Sequence, residues 1–168
     1  ILAAQSLWSK LYENKHIYLD KYSGWYALRD EAFYSEKEII NGKAPSGAEV
    51  SWVEEESYFF DLSKWQVKLL EFYDKNPNFI LPKSRMNEVK SFVKGGLRDL
   101  SVSRTSFEWG VKVPNNNVHI MYVWLDALTN YLSAIGYPDT LENEYVNFWP
   151  ADIHMVGKDI LRFHAVYW

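Results

Sequence analysis

The sequence predicts an α/β fold that includes part of a parallel sheet, and two stretches near its C-terminal end support this. The β-rich residues 119–123 lead directly into a helical pattern at residues 124–135, and the apolar residues 153–156 lead through Gly157 into a second helix from Ile160. A strand–helix–strand–helix order without hairpin turns is typical of parallel βαβ units. Because ligands bind at the carboxyl ends of parallel strands, we expect the functional site at these two turns.

Antiparallel strands and a short helix are expected at the N-terminal end. Apolar residues at helical spacing predict an opening helix, and residues 16–22 and 25–28 predict a β-hairpin interrupted by Ser23 and Gly24. Residues 41–47 contain two glycines and one proline, so they are expected to form a loop.

Two longer helices are expected in the middle of the chain. Asp61 is expected to cap a helix that continues to about Lys75, because the apolar residues that follow it recur at helical spacing. A second helix is expected from Ser84, and Gly95 and Gly96 supply the left-handed backbone that commonly ends a helix.

Composition restricts the class of protein. The chain has 168 residues, of which 48% are hydrophobic, 24% charged and 17% aromatic, so it can fill a core. It lacks cysteine, which excludes disulfides and thiolate metal sites, and its four histidines have no mutual metal-ligand spacing. No run approaches the ~18 apolar residues of a membrane-spanning helix. These features predict a soluble, cytoplasmic protein.

The formal net charge of −4 hides an uneven distribution. Residues 83–112 carry a charge of +4, whereas the parts of the chain before and after them each carry −4. A basic stretch on an acidic background can face phosphate groups. It can equally be the solvated face of a helix, and the pattern alone does not decide between the two.

The first strand-to-helix turn places Trp124, Leu128 and Tyr131 on one helix face, because they are spaced four and three residues apart. Together they form a wide apolar wall with one hydroxyl group. Ordinary core packing is the alternative explanation of such a stripe.

The second turn contains Gly157, Asp159, Ile160 and His164. Gly157 allows close approach of a ligand to the backbone, and Asp159 can either accept bonds from ribose hydroxyls or cap the helix. Ile160 and His164 share a helix face, although a single histidine is more often structural. Asp152 stands where a Walker A loop needs its first glycine, so this turn is not a P-loop.

Arg104 follows a predicted strand at residues 100–103, and a second strand is predicted at residues 109–113. An arginine at the end of a strand can neutralise charge that develops on a leaving pyrophosphate. The alternative is a surface ion pair with Glu108 or Asp99.

Four segments, in the same order along the chain, resemble the methionyl-tRNA synthetase family of class I aminoacyl-tRNA synthetases. Residues 119–137 (HIMYVWLDALTNYLSAIGY) resemble its tryptophan-bearing strand and helix, and residues 153–168 (IHMVGKDILRFHAVYW) resemble its GKDI…FH segment. Residues 92–104 are similar to the segment that closes its connective peptide insertion, and residues 24–34 to the knuckle region of that insertion.

The resemblance implies two domains. Residues 1–113 would be the connective peptide insertion, of mixed α+β structure, and residues 114–168 the second part of a Rossmann-like parallel-sheet catalytic domain. The family forms methionyl-adenylate from methionine and ATP with magnesium, and then transfers the methionyl group to methionine tRNA. No membrane partner is implied.

The resemblance also implies a role for individual residues. Arg104 would assist adenylate formation, whereas Gly157 and Asp159 would hold the nucleotide. The methionine pocket would be lined by Trp124, Ala127, Leu128, Tyr131, Ile160 and His164.

The chain departs from the family pattern in several ways. It lacks the cysteine knuckles that bind zinc in many members, so it resembles the zinc-free type. Lys112 replaces a glutamate that contacts ribose in some members, and Leu128 replaces a proline found in others. The HIGH and KMSKS signatures are absent. We therefore expect an internal piece of a longer protein, and we expect this piece alone to be inactive in adenylation.

Two other functions fit parts of the pattern. One is a class I synthetase for leucine, valine or isoleucine, but an insertion of roughly 110 residues leaves no room for the separate editing domain usual in those enzymes. The other is a non-catalytic, aromatic-rich module that binds RNA or sugars, because bases stack on aromatic faces.

Overall fold

The computed structural model describes residues 1–27, 29, 32–34, 36–106 and 108–168. The helices are α1 (Leu2–Glu13), α2 (Gln66–Lys75), α3 (Lys83–Lys94), α4 (Val123–Ser133) and α5 (Asn143–Phe148). The strands are β1 (Ile17–Ala27), β2 (Ala32–Tyr34), β3 (Ser51–Phe60), β4 (Leu100–Ser101), β5 (Ser103–Arg104), β6 (Lys112–Val113) and β7 (Asn116–Met121).

The first sheet has the strand order β2-β1-β3-β4, and all of its ladders are antiparallel. The predicted hairpin over residues 16–28 is wrong, because β1 is one continuous strand. Ser23 and Gly24 lie within it, opposite Glu54 and Val53 of β3. The distant β3, which the local pattern did not reveal, supplies the hydrogen bonds that keep this segment extended. Leu28, the last residue of the predicted hairpin, lies outside the described residues.

The second sheet has the order β5-β7-β6 and is also antiparallel. The strand predicted at residues 100–103 is divided between the two sheets. Leu100 and Ser101 pair with β3, whereas Ser103 and Arg104 pair with β7. Val102, at the division, is buried. Its backbone N–H donates to the Tyr58 carbonyl, and its carbonyl accepts from the N–H of Tyr122. The short strands therefore join the two sheets at Val102.

The two longer helices were predicted with different success. The helix α3 is confirmed, with Met86, Val89 and Val93 buried, and Gly96 after its end has a positive φ of 103°. Asp61 does not cap α2, because a 3₁₀ turn at Leu62–Trp65 comes first. The buried Asp61 carboxylate instead lies 3.0 Å from Lys64 Nζ and 3.3 Å from His16 Nδ1.

The C-terminal part agrees with the prediction as far as α4. Strand β7 leads directly into α4, as expected, but residues 153–156 form no strand with any described segment, and Met155 is 93% exposed. The predicted helix from Ile160 is a 3₁₀ turn at Lys158–Ile160 followed by a π-helix at Phe163–Tyr167. The second half of the predicted parallel unit is therefore missing among the described residues, because an extended segment becomes a strand only when a neighbour pairs with it.

Two apolar clusters form most of the core. One packs α2 and α3 against Val166 of the π-helix, and the other packs Trp8 of α1 against the two sheets. The domain boundary predicted after residue 113 falls within the β6–β7 hairpin. The division of the chain into two domains stays a prediction. Within the described ranges, no helix has the length and apolar character needed to cross a membrane.

Candidate active site

An apolar cavity of about 410 Å³ lies beside the N-terminal end of α4. Trp124 and Leu128 line it from α4, and His164 lines it from the π-helix. The spacing of four residues puts Trp124 and Leu128 on the same face of the helix, as the sequence predicted. Tyr122, whose extended backbone precedes the first residue of α4, also lines the cavity.

The indole of Trp124 stacks on the ring of Phe163. The two ring centroids are 3.7 Å apart, and the ring planes are inclined by 13°. Stacking of two half-buried aromatic rings adds to the free energy gained from their buried area. This pair therefore fixes the beginning of α4 against the segment that carries His164.

Tyr131 reaches the same segment through a hydrogen bond. Its hydroxyl lies 2.7 Å from Nε2 of His164, and Nδ1 of that ring lies 2.9 Å from the carbonyl oxygen of Ile160. A carbonyl oxygen only accepts, so Nδ1 carries a proton and donates it. In the neutral ring Nε2 is then an acceptor for the Tyr131 hydroxyl, which fixes both the tautomer and the orientation of His164.

Tyr131 itself lines a second hollow, of about 280 Å³, rather than the apolar cavity. The ring of His154 lies there in an edge-to-face contact, with its centroid 4.8 Å from that of Tyr131. The centroids of His154 and His164 are 6.4 Å apart. A phenol and two imidazoles thus form a polar border next to the apolar cavity.

The structure does not gather every predicted site residue around the cavity. Ala127 lies on another side of α4, facing a hollow that Ala3 and Ala4 of α1 also line. Ile160 is 39% exposed, and only its backbone carbonyl contacts His164. Gly157 and Asp159 lie on the exposed 3₁₀ turn region, and nothing lies within 4 Å of where a Gly157 side chain would begin.

Arg104 lies at the end of β5, close to this cavity. Its guanidinium carbon is 4.4 Å from the ring centroid of Tyr122, within the range of a cation–π contact. Tyr122 lines the cavity, so Arg104 contacts a residue of the cavity wall. Lys112 of β6 lies in register with Ile120, which Arg104 also faces from the other neighbouring strand.

Tyr73 of α2 is hydrogen-bonded to the π-helix. Its ring is 1% exposed, and its hydroxyl donates a hydrogen bond to the carbonyl of Ala165, the residue after His164. Burial raises the pKa of Tyr73 to about 12, because the phenolate would lose its hydration. The hydroxyl therefore stays a donor throughout the physiological range of pH.

Sequence reasoning missed several residues of this region, among them Tyr122, Phe163, His154 and Tyr73. Phe163 directly precedes His164 and Tyr122 lies two residues before Trp124, so their position at the two turns was an available signal. Tyr73 lies in another helix, and no local pattern links it to Ala165. Among the residues that the structure describes, no group of three or more histidine, aspartate or glutamate side chains could hold a metal ion.

Comparison with known proteins gives the family. The chain matches the family described as tRNA synthetases class I (M) over residues 2–51 and 37–168. It is 66% identical to the methionine–tRNA ligase of Rickettsia felis over 167 residues, covering 99% of this chain and 32% of that protein. It is 55% identical to the methionine–tRNA ligase of Brucella suis over 171 residues, covering 99% of this chain and 33% of that protein.

A solved structure agrees with these relatives. Methionyl-tRNA synthetase of Mycobacterium tuberculosis, bound by methionyl-adenylate, superposes with a TM-score of 0.87 at 55% identity. The alignment covers 99% of this chain and 34% of that one, so the chain spans about a third of the proteins it matches. The α/β fold class and the family resemblance inferred from the sequence are both confirmed. The chain belongs to the methionyl type of class I tRNA synthetases.

Proposed function

We propose that the protein containing this chain is a methionine–tRNA ligase, which joins methionine to AMP and then transfers the methionyl group to methionine tRNA. The observation that carries the proposal is the apolar cavity lined by Trp124, Leu128 and His164, with Tyr131 hydrogen-bonded to His164 at its border. Its relatives, of which the chain spans about a third, support the same activity.

The cavity suits the side chain of methionine. A thioether is polarisable and apolar, and it makes favourable contacts with aromatic rings such as that of Trp124. Few polar groups border the cavity, and those present can orient the ligand rather than solvate it. Tyr131 and His164 belong to the proposed pocket on these contacts, whereas Ala127 and Ile160 belong to it on the family resemblance alone.

The nucleotide is proposed to bind near Gly157 and Asp159. Both residues are exposed at the turn that precedes His164, and the missing side chain of Gly157 leaves room for close approach to the backbone. The Asp159 carboxylate can accept hydrogen bonds from ribose hydroxyls. Magnesium is proposed to enter with the phosphates of ATP, which are ligands it prefers. On the resemblance to the zinc-free type of the family, no zinc site is proposed.

Arg104 is proposed to assist adenylate formation. In that reaction a carboxylate oxygen of methionine attacks the α-phosphorus of ATP, and pyrophosphate leaves with its electron pair. Negative charge grows on the leaving group, and a guanidinium placed beside it stabilises the transition state. Its place beside Tyr122, at the edge of the proposed methionine pocket, supports this role.

The two alternatives remain less well supported. A synthetase for another apolar amino acid would use a similar pocket, but the relatives compared above, at 66% and 55% identity, are named methionine–tRNA ligases. A module that binds RNA or sugars would need its aromatic rings at the surface. Trp8 and Tyr73 are buried in the core, whereas Trp52 and Trp109 are exposed, so it is the identity to methionine–tRNA ligases, and not ring burial, that disfavours this alternative.

Amino-acid-dependent ATP–pyrophosphate exchange tests the proposal directly. The complete synthetase, expected in the cytoplasm, should exchange label with methionine and at least 100-fold less efficiently with leucine, isoleucine or valine. Trp124→Ala should raise the KM for methionine by roughly tenfold or more, because the stacked wall of the cavity is lost. Equal exchange with leucine, or binding to unstructured RNA without exchange, would reject the proposal.

A further inference from the structure

The segment that carries Arg104 runs antiparallel along β3. Phe60 pairs with Leu100 and Phe59 with Ser101, and beyond them the N–H of Val102 donates to the Tyr58 carbonyl at 2.8 Å. The backbone hydrogen bonds between β3 and this segment end at Val102. Further along, the two segments are joined by side chains of β3, and these contacts lie on both sides of Arg104.

The first of these contacts fixes Ser103, the residue before Arg104. The hydroxyl of Ser57 donates to the Ser103 carbonyl at 2.8 Å, and the hydroxyl of Ser103 accepts the backbone N–H of Tyr58 at 2.9 Å. The Ser103 hydroxyl also contacts Nδ1 of His119 on β7, at 3.0 Å. Because Ser103 is fully buried, water cannot replace these hydrogen-bond partners if one of them is lost.

The second contact fixes the two residues after Arg104. One carboxylate oxygen of Glu55 lies 2.6 Å from the backbone nitrogen of Thr105, 2.8 Å from the Thr105 hydroxyl and 3.2 Å from the backbone nitrogen of Ser106. Three donors thus converge on a single anionic oxygen, and hydrogen bonds to a charged acceptor are stronger than neutral ones. Glu55 is 50 residues away in sequence.

Arg104 therefore lies between two anchors that both come from β3. Its backbone pairs with Ile120 of β7, and its guanidinium lies over the ring of Tyr122. A side chain directs its charged group reproducibly only when the backbone at its base is fixed. Without the Glu55 contact, Thr105 and Ser106 would lose three hydrogen bonds, and we expect the base of Arg104 to move with them.

We propose that Glu55 is a positioning residue for Arg104, through which the sheet of residues 17–60 sets the geometry of adenylate formation. The inference rests on the proposed function, because it needs Arg104 to act on ATP. Glu55 touches no substrate in this proposal. Its effect passes through the backbone of Thr105 and Ser106, so it should alter the rate of the chemical step and leave methionine binding unchanged.

Steady-state ATP–pyrophosphate exchange by the complete synthetase tests this with four variants. Glu55→Ala should lower kcat by roughly 10- to 100-fold, since small displacements of a reacting group carry penalties of that size, while the KM for methionine stays within about twofold. Glu55→Gln keeps an acceptor oxygen and should stay within about fivefold of the wild type. Thr105→Val removes one donor and should lower kcat about three- to tenfold.

Glu54 provides the matched control, because its exposed carboxylate contacts only Lys21 at 3.7 Å among the described ion pairs. Glu54→Ala should leave kcat and KM unchanged. An equal loss in Glu54→Ala and Glu55→Ala would overturn the proposal, since it would reflect the charge of the strand rather than the contact with Thr105. A rise in the KM for methionine with unchanged kcat in Glu55→Ala would also overturn it.

A double-mutant cycle shows whether the effect passes through Arg104. Arg104→Ala alone should lower kcat by roughly 100- to 1,000-fold, and Glu55→Ala in that background should cause no more than about a twofold further loss. Independent, multiplicative losses would overturn the proposal. Should Glu55→Ala fail to fold, Thr105→Val carries the same cycle.

The failures are distinguishable. A wild-type protein that shows no methionine-dependent exchange contradicts the proposed function, whereas normal exchange with an unaffected Glu55→Ala contradicts the positioning role alone. Normal exchange with an unaffected Arg104→Ala contradicts both the role of Arg104 and that of Glu55.

Discussion

The hydroxyl of Tyr131 and Nε2 of His164 lie 2.7 Å apart, joining α4 to the π-helix at the border of the apolar cavity. The other ring nitrogen of His164 is held by the carbonyl of Ile160, so the imidazole has a partner on each side. A histidine fixed in this way presents a constant surface to a ligand. In the proposed methionine pocket, a ring that the protein has already oriented would lower the entropy lost on binding.

Tyr131→Phe should weaken the binding of methionine. The substitution keeps the ring and removes the hydroxyl, so Nε2 of His164 loses its protein donor and the imidazole gains freedom. Losing one hydrogen bond of this kind costs about 1 kcal/mol, and we expect the KM for methionine to rise roughly three- to tenfold. Methionine titration in the exchange assay measures this.

Tyr137→Phe is the control for that experiment. Tyr137 lies after the end of α4, with its ring centroid 6.2 Å from that of Tyr145, and it lines neither of the two hollows that His164 and His154 border. It should leave the KM unchanged. If the two tyrosine variants behave alike, the hydrogen bond to His164 does not contribute to methionine binding.

Tyr73→Phe should reduce both stability and its dependence on alkaline pH. The buried hydroxyl donates to the Ala165 carbonyl, and its removal should cost about 1–2 kcal/mol at neutral pH. Burial raises the pKa of Tyr73 to about 12 in the folded protein, from an ordinary value of 10.0. Between these values the unfolded chain releases the proton and the folded protein keeps it, so stability falls as pH rises.

The wild type should therefore lose about 1–3 kcal/mol through Tyr73 from pH 10 to pH 12, and this part of the loss should be absent in Tyr73→Phe. Tyr18, whose pKa is also raised to about 12 by burial and by its hydrogen bond to Asp99, remains in both proteins and contributes equally. Urea unfolding at several pH values gives the slopes. Parallel slopes would mean that Tyr73 does not keep its proton on folding.

Local sequence pattern predicted the elements whose stability is largely local. The helix α3 follows from the apolar spacing of Met86, Val89 and Val93, which all turn to one side and are buried. The strand β3 begins with an exposed part and carries three successive glutamates, which are depleted in strands, so the local pattern did not reveal it. Pairing with β1 over ten residues keeps β3 extended, and β1 is remote from it in sequence.

The candidate site likewise has features that follow from local sequence and features that depend on tertiary contacts. The grouping of Trp124 and Leu128 follows from helix geometry, and α4 was predicted from its sequence. The contact of Glu55 with Thr105 depends on how two sheets meet, and the bond from Tyr73 to Ala165 depends on packing between separate helices. Such contacts between distant segments are fixed by tertiary structure, which spacing along one chain does not encode.

Trp8→Ala should destabilise the protein severely. Trp8 is 2% exposed on α1 and packs edge-to-face against Tyr58 of β3, with the ring centroids 5.3 Å apart. Truncation leaves a large cavity where α1 meets the sheets, and such substitutions cost about 3–5 kcal/mol. Val67→Ala, at a position 65% exposed on α2, should change the free energy of unfolding by less than about 0.5 kcal/mol. A small effect of Trp8→Ala in urea unfolding would show that α1 packs loosely.

Gly110→Ala should cost more stability than Gly42→Ala, although both glycines have a positive φ. At Gly42 (φ 73°) a methyl group would meet nothing within 4 Å, so the cost is the strain of the left-handed backbone, about 1–2 kcal/mol. At Gly110 (φ 138°) the added carbon would come within 2.5 Å of Cγ2 of Ile120, which is buried between β5 and β6. Overpacking adds about 1–3 kcal/mol to the strain there.

Ile120 also faces Arg104 across the β5–β7 ladder, so its displacement should reach the proposed catalytic site. We therefore expect Gly110→Ala to lower the kcat of adenylate formation as well as the free energy of unfolding, while Gly42→Ala affects stability alone. The two variants are compared by urea unfolding and by ATP–pyrophosphate exchange on the folded fraction. If both variants lose the same free energy of unfolding, the Ile120 side chain moves aside without cost. Arg104 would then be undisturbed, and the kcat of Gly110→Ala should match that of the wild type.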